Sequence, residues 1–214
     1  MNQLLRPFPI LIAFLTLSIV LLTVFVADWH IQVRLYGAVE PSDKSTPLSE
    51  GRIYHLPVQT TYLTYTDGTT DRFGVNAGNQ LRISRPDYHP VALTMVHLSP
   101  IVRQLGVTLF QNRSAQPLLE GQVSWRNNPL QDVTVTCEGC IETSRPSTTG
   151  PDGRYSIPTG RYSNTGYILH FNLRDTEVAT IKVEPETNDD HARIDVVFDD
   201  SSPWMNFFWP WQWN

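Results

Sequence analysis

The stretch LLEGQVSWRNNPLQDVTVTCEGCIETSRPSTTGPDGRYSIPTG, residues 118–160, decides the fold, because its short alternating runs are broken by turn-forming residues. One turn signal is Asn127-Asn128-Pro129. In the other, residues 150–153, proline presets φ while aspartate and glycine suit the remaining turn positions. Continued to residue 198, the pattern predicts seven strands, near 119–125, 132–137, 141–149, 153–158, 166–172, 176–183 and 191–198. Seven short strands in about 80 residues indicate a β-sandwich.

This stretch resembles the carboxypeptidase regulatory-like family, whose fold is transthyretin-like. The resemblance covers about residues 118–199. It rests on an ordered set of motifs: Gly121, Val123, Pro129, Leu130, Val133, Val135, Thr149, residues 152–157 and the aliphatic strand at 168–171. Because the family is generally non-catalytic, the resemblance implies an accessory or adhesion-like module with no catalytic residues to carry over.

Residues 31–111 look like a degenerate second copy of this domain. Five short motifs of this copy have counterparts in the later stretch. They pair Gly37–Val39 with Gly121–Val123, Pro47-Leu48 with Pro129-Leu130, Gly51–Ile53 with Val133–Val135, Asp71–Val75 with Gly153–Ile157, and Leu81–Ile83 with Leu169–Phe171. The pattern predicts a mainly β protein with two small transthyretin-like or Ig-like β-sandwich domains, at 31–111 and 118–200, joined by a linker at 112–117.

The first thirty residues contain an uncharged run from Pro7 to Ala27. As a helix of about 20 residues it would cross a ~30 Å hydrocarbon core, with Trp29 as an interfacial anchor. A cleaved signal peptide is the competing interpretation, but the run is long and Phe25 is bulky where a cleavage site needs a small residue. We therefore expect a retained signal-anchor over residues 1–30, with the amino end in the cytoplasm.

Small side chains recur along this predicted helix at spacings of three and four residues. They are Ala13, Thr16, Val20, Thr23 and Ala27. Such a stripe lets another membrane helix approach closely. Alanine and threonine are also simply tolerated in membrane helices, so the sequence leaves both interpretations open.

The two cysteines, Cys137 and Cys140, flank Glu138-Gly139 between two predicted strands. A redox pair would need a helix amino terminus to lower the thiol pKa. A zinc site would need a second pair of ligands, which the sequence lacks. A type II turn brings the flanking Cα atoms within ~7 Å, close enough for a disulfide. We therefore expect a structural disulfide, provided that the domain lies outside the cytoplasm.

The final segment, residues 201–214, is unusually aromatic. Its docking residues are Trp204, Phe207, Phe208, Trp209, Trp211 and Trp213. Tryptophan favours the membrane interface and also the centres of protein interfaces. We expect the tail to dock on lipid or on a membrane protein, although packing onto its own sandwich is an alternative. We also expect it to hold the end of the β-domains that lies away from the membrane helix.

The rest of the sequence offers little chemistry. The net charge of −5 is spread along the chain, which does not predict a nucleic-acid partner. The histidines are scattered, and no catalytic, cofactor-binding or metal-ligating motif is present. We therefore predict no enzyme activity and no cofactor.

These observations predict a non-enzymatic accessory or scaffold subunit of an integral membrane protein complex. It would be a single-pass protein of the bacterial inner membrane with its β-domains in the periplasm, in contact with the lipid bilayer. The alternative is a cell-envelope module that binds a glycan or a peptide through sandwich loops, such as residues 161–166.

Overall fold

The computed structural model of the 214-residue chain describes residues 30–112, 118–141, 145–160, 165–185 and 191–199, which are mainly β-structure. Strands of the first half are β1 (His30–Ala38), β2 (Thr46–Pro47), β3 (Arg52–Leu56), β4 (Thr60–Leu63), β5 (Phe73–Gly74), β6 (Gln80–Ser84), β7 (Val91–Leu98) and β8 (Val102–Phe110). Strands of the second half are β9 (Leu118–Trp125), β10 (Asn128–Pro129), β11 (Val133–Glu138), β12 (Ser147–Thr148), β13 (Arg154–Pro158), β14 (Tyr167–Leu173), β15 (Thr176–Pro185) and β16 (His191–Phe198).

Six of the seven strands predicted in the second half are confirmed within two residues of their predicted bounds. The exception is the predicted strand at 141–149. In the described part of this segment only Ser147 and Thr148 form a strand, β12. Turn-forming residues were more informative about strand bounds than alternation was, because each tight turn fixes where the flanking strands must end.

Two eight-stranded sheets form a sandwich. The first sheet has the order β10-β9-β16-β8-β1-β2, with β13 also paired to β9 and β5 to β1. The second has the order β12-β11-β14-β15-β7-β6-β3-β4. Inward-facing side chains of both sheets alternate with outward-facing polar ones and form one hydrophobic cluster. The described residues therefore form a single β-sandwich with one core.

The two halves repeat the same pattern of strand pairing. In the first half β1 pairs with β2, β5 and β8, β3 pairs with β4 and β6, and β6 pairs with β7. In the second half β9 pairs with β10, β13 and β16, β11 pairs with β12 and β14, and β14 pairs with β15. Each strand thus has a counterpart eight positions later in the chain order.

The prediction of two separate sandwich domains is wrong, because both sheets run through both halves. Strand β15 pairs antiparallel with β7, and β16 pairs antiparallel with β8, so each joining strand pairs with its own counterpart. Strand β8 is buried on both faces over residues 105–110. In a separate domain these strands would be unpaired edges that invite association with another chain. The residue boundaries proposed for the domains stay predictions.

A buried threonine marks the same position in each half. Thr64 Oγ1 donates to the carbonyl of Leu48 (2.7 Å) and accepts from the amide of Gly51 (2.8 Å). In the second half, Thr149 Oγ1 donates to the carbonyl of Leu130 (2.8 Å) and accepts from the amide of Val133 (3.0 Å). These bonds agree with the sequence matches of Pro47-Leu48 and Gly51–Ile53.

Two other sequence matches are wrong in register. The amide of Leu35 donates to Gly68, as that of Val123 does to Gly153, so Leu35 rather than Val39 is the counterpart of Val123. The turn that ends at Gly68 is likewise the counterpart of the turn that ends at Gly153. The matches at 37–39 and 71–75 relied on short stretches of similar sequence. The register between the two halves is instead set by these turns.

The described residues contain no helix that is long and apolar enough to span a membrane. The predicted signal-anchor, its stripe of small residues and Trp29 lie in residues 1–29, outside the described residues. The six docking residues of the aromatic tail also lie outside them.

Candidate functional site

A polar cleft opens on the outer face of the first sheet. Residues 192, 194, 196 and 198 of β16 point into the core, and side chains between them point outward because successive residues of a strand face opposite sides. The same alternation turns Glu120 and Gln122 of β9 outward, where they are half-buried, and leaves Arg154 and Ser156 of β13 exposed. The floor that results is made of Glu120, Gln122, Arg154, Ser156, Arg193 and Asp195.

The loop at residues 39–45, between β1 and β2, forms the roof of the cleft. Its counterpart in the second half is the tight turn at residues 126–127. The longer loop reaches across β8, where the carbonyl of Pro41 accepts a hydrogen bond from Nη2 of Arg193 (2.6 Å). The cleft has a volume of about 830 Å³. Both halves of the chain therefore build this cleft, the first half from above and the second from below.

Glu120 and Arg193 form an ion pair at the centre of the floor. Oε1 of Glu120 accepts from Nε (2.8 Å) and Nη2 (2.5 Å) of Arg193 and lies 3.4 Å from Nε2 of the buried His191. Burial alone would raise the pKa of Glu120, but the adjacent His191 ring, the hydrogen bonds from Arg193 and the charge of Arg193 outweigh it and lower that pKa. Glu120 is therefore a carboxylate at neutral pH.

Asp195 lies beside this ion pair in a different environment. Its Oδ1 accepts from the backbone amide of Gln122 (2.8 Å). Gly106 lies opposite on β8, and a Cβ there would come within 2.9 Å of the Asp195 Cβ, so glycine leaves the room that this side chain occupies. Burial raises the pKa of Asp195, although the hydrogen bond from the Gln122 amide and the charge of the nearby Arg193 both act to lower it. The floor thus holds two carboxyl groups whose pKa values are pushed apart.

Tyr155 closes the bottom of the cleft from the core side. Its ring packs edge-to-face on Phe171 at 5.5 Å, and its hydroxyl donates to the carbonyl of Ile194 (2.7 Å). This bond passes over Gly121, where a Cβ would lie 2.9 Å from Tyr155 Cε1 and 1.9 Å from the Ile194 carbonyl oxygen. Burial raises the pKa of Tyr155 well above its usual value. The residue is therefore a neutral structural support.

The rim of the cleft carries donors and acceptors that stay exposed. Asp152 accepts from the amide of Arg154 (3.1 Å), and the Gln122 side chain donates to the carbonyl of Asp152 (2.7 Å). Ser147 accepts from the amide of Ser156 (3.2 Å). These bonds fix the connection between β12 and β13 and leave carboxylate, guanidinium and hydroxyl groups at the opening of the cleft. The arrangement suits hydrogen bonding to a polar ligand.

A second polar cluster lies on the outer face of the second sheet. His170 Nδ1 is 2.6 Å from Oε1 of Glu177, and its Nε2 is 3.3 Å from Oε1 of Glu138. Hydrogen bonds from Thr180 and His170 lower the pKa of Glu177. Among the described residues no group of three side chains is placed to hold a metal ion. The cluster is open and lies away from the cleft.

Cys137 and Cys140 are joined by a disulfide with Cα atoms 5.8 Å apart. Gly139 between them has φ of 86°, which a glycine adopts without strain. Sequence reasoning missed the cleft, because its residues lie on separate strands and loops over residues 39–195. The signal that could have found it was the outward-facing polar set Glu120, Gln122, Arg193 and Asp195, on two strands that pair in parallel.

Comparison with known proteins gives no family. No protein-family model and no characterised protein sequence matches the chain. Solved structures that resemble it include two pilins and a group of carbohydrate-binding modules. The shaft pilin SpaA of Lactobacillus rhamnosus GG has a TM-score of 0.30 and 11% identity, covering 82% of this chain and 98% of that one. The minor pilin GBS52 of Streptococcus agalactiae has a TM-score of 0.26 and 10% identity, covering 79% and 94%.

The third structure is of family 41 carbohydrate-binding modules from streptococcal virulence factors, described as recognising α-glucan. It has a TM-score of 0.27 and 11% identity, covering 81% of this chain and 94% of that one. At these TM-scores the likenesses assign neither a fold family nor a function. The resemblance to the carboxypeptidase regulatory-like family stays a prediction.

Proposed function

We propose that this protein is a non-enzymatic binding module of the cell envelope and that the polar cleft recognises a glycan. The observation that carries the proposal is the floor of the cleft, in which charged and amide side chains of β9, β13 and β16 converge under the loop at residues 39–45. The site is concave, preformed and held by hydrogen bonds, which are the general properties of a ligand site.

The chemistry of the cleft favours a glycan over a peptide. A glycan presents many hydroxyl groups, each of which can donate to a carboxylate and accept from a guanidinium or an amide. Glu120, Asp152 and Arg154 supply such groups at the floor and the rim. A peptide that adds to a sheet edge depends on apolar pockets for its side chains. The cleft is lined mostly by polar side chains, so it offers few such pockets.

The placement in the envelope is supported by the disulfide between Cys137 and Cys140, because disulfides persist in oxidising compartments. Non-enzymatic function is supported by the hydrogen bonds that Glu120 and Tyr155 make. Glu120 is held by Arg193, and Tyr155 is held by the Ile194 carbonyl, so neither group is poised for proton transfer. Within the described residues, the cleft favours a binding module over the accessory-subunit role predicted first.

The test is glycan binding by the full chain in detergent micelles, screened on a panel of neutral and acidic glycans and measured by calorimetry. For a glycan that binds, Arg154→Ala and Asp152→Asn should each weaken binding about tenfold or more, because a hydrogen bond to a charged group is worth about 1.5–3 kcal/mol. Both side chains are exposed, so the fold should be unchanged.

The matched control is Arg52→Ala, which removes an exposed arginine from β3 in the second sheet. It should leave glycan affinity unchanged. Equal losses in the Arg154 and Asp152 variants and in this control would show that charge alone, and not the cleft, drives binding. Binding of peptides but of no glycan would contradict the choice of ligand.

A further inference from the structure

Among the described residues, the lining of the polar cleft contains one more acidic than basic side chain. The acidic lining residues are Asp43, Glu120, Asp152 and Asp195, and the basic ones are Lys44, Arg154 and Arg193. Glu120 is paired with Arg193, and the carboxylate of Asp152 lies 3.9 Å from Nε of Arg154. Asp43 and Lys44 are neighbours on the exposed loop at residues 39–45. The acidic side chain that is left over is Asp195.

No cation of the described residues forms an ion pair with Asp195. Its carboxylate accepts one hydrogen bond there, from the Gln122 amide to Oδ1 (2.8 Å), which leaves Oδ2 available. Burial raises the pKa of Asp195, and the charges of Arg193 and Arg154 do not offset this effect. A half-buried carboxylate without a partner is costly, so a cation that reaches Oδ2 would form a strong, charge-assisted hydrogen bond.

The first sheet is interrupted at Asp195 in a way that holds this side chain in place. Parallel pairing of β9 with β16 stops at Arg193 and resumes at Val196. Between these residues, the Gln122 amide donates to the Asp195 side chain, and the Ile194 carbonyl accepts from a tyrosine hydroxyl (2.7 Å). A regular parallel ladder would instead join backbone groups to each other. Side chains therefore replace the ladder at the floor of the cleft.

The counterpart strands of the first half, β1 and β8, pair without a break along residues 32–38. Gly106, which precedes the residue paired with Leu35, is the counterpart of Asp195, which precedes the residue paired with Val123. The two counterparts face each other where β8 pairs with β16, and a Cβ at Gly106 would lie 2.9 Å from that of Asp195. The interruption is therefore not a requirement of the fold. It belongs to the position that carries the carboxylate.

We propose that the cleft binds a glycan that contains amino sugars and that the carboxylate of Asp195 receives the ammonium group of one of them. This inference rests on the proposed glycan function and names the class of glycan. The ammonium group donates to Oδ2, while hydroxyl groups of the same glycan reach Asp152 and Arg154 at the rim. A neutral or N-acetylated sugar has no charge to offer Asp195, and an acidic sugar would place a second negative charge beside it.

Three β-1,4-linked oligosaccharides of equal length provide matched ligands, because they differ only in the group at carbon 2. That group is a hydroxyl in the glucose oligomer, an acetamide in the N-acetylglucosamine oligomer and an ammonium in the glucosamine oligomer. Their affinities for the full chain in detergent micelles are measured by calorimetry at about pH 6, where an amine is protonated. The glucosamine oligomer should bind about tenfold or more tightly than either of the others.

The variant Asp195→Asn tests the residue, because it removes the charge and keeps an acceptor for the Gln122 amide. The ratio of glucosamine to glucose affinity should fall to about twofold or less in this variant. The matched control is Asp87→Asn, which removes one negative charge from an exposed turn outside the cleft. The control should keep the full ratio.

Equal affinities of the wild type for the glucose and glucosamine oligomers, or a ratio that survives Asp195→Asn, would overturn the inference and leave glycan binding itself standing. A ratio lost equally in both variants would also overturn it, because net charge would then be responsible. Binding of none of the three would refute the amino-sugar assignment, and the wider glycan panel would still decide the proposed function. A lysine peptide that binds through Asp195 when no glycan does would contradict both.

Discussion

Among single residues, the two carboxyl groups of the cleft show how neighbouring positions of one sheet acquire different chemistry. Glu120 has Arg193 within hydrogen-bonding distance, and its pKa is lowered. Asp195 is more deeply buried and has a backbone amide as its closest donor, so desolvation dominates and its pKa is raised. Both residues occupy outward-facing positions of their strands, which the sequence pattern predicts. Their different pKa values arise only from the surroundings that the packed structure gives each side chain.

The raised pKa of Asp195 predicts a pH-dependent stability. A folded pKa above the unfolded value means that the contribution of the group is fully present below the unfolded pKa and is lost as pH rises through the folded pKa. Asp195→Asn keeps an acceptor for the Gln122 amide and removes the charge. We expect this variant to be at least as stable as the wild type at pH 7, with an advantage that shrinks as the pH falls towards 4, measured by urea unfolding.

The control for this experiment is Asp71→Asn, an exposed aspartate that accepts a hydrogen bond from Tyr65 (2.8 Å). Its effect on unfolding should not show the same decrease towards low pH. An advantage of Asp195→Asn that grows as the pH falls would contradict the assignment, because it would mean that the charged form of Asp195 is stabilised by folding.

Among the elements, the loop at residues 39–45 is the largest difference between the repeated halves. At the equivalent place the second half has a two-residue turn with φ above zero at Arg126 and Asn127. That geometry is typical of a tight hairpin and leaves the face of the sheet open. The longer loop instead covers the sheet, and it is what converts a flat polar face into a cleft.

Shortening this loop should separate binding from folding. Replacing residues 39–44 with Asn-Gly would give β1 and β2 the hairpin geometry of β9 and β10. We expect circular dichroism to show an intact fold, because Leu35, Leu48 and the rest of the core are untouched. Affinity for the glycan should fall about tenfold or more, or about 1.4 kcal/mol, since the roof and the Pro41 contact to Arg193 are lost.

A loop of the same composition but scrambled order, with Pro41 retained, is the control for shortening. It should keep more affinity than the Asn-Gly variant. Full glycan affinity in the shortened variant would show that the floor alone binds the ligand.

The molecule as a whole depends on the junction of its halves. Strand β7 pairs antiparallel with β15 in one sheet, and β8 pairs antiparallel with β16 in the other, so the two halves are joined within both sheets. These strands bury residues such as Met95, Leu105 and Ile181 completely, whereas a separated half would expose its joining edges to water. Pairing of equivalent strands across a pseudo-twofold axis hides those edges within one chain.

Separated halves should therefore fail to behave as folded monomers. Residues 30–112 and residues 118–199, expressed alone, should aggregate or form dimers through the exposed edges of β7 and β8 or of β15 and β16. Co-expression of the two fragments should restore a soluble pair. Size-exclusion chromatography with circular dichroism measures both outcomes.

The control is the full chain cut at an engineered protease site within residues 113–117, whose two pieces should stay associated. Two fragments that each fold as stable monomers would instead support the domain boundaries predicted from the sequence.

The sequence by itself determined the local features of this protein. Alternation and turn residues such as Asp152-Gly153 located the strands of the second half, and the Pro47-Leu48 match revealed the repeat. Tertiary structure alone decided how the halves combine, because pairing of β8 with β16 links residues about ninety positions apart and no local pattern encodes it. The cleft depends on that same junction, since its roof and floor come from different halves. Strand period is a property of neighbouring residues, whereas the choice of partner strand depends on which edges must be buried together.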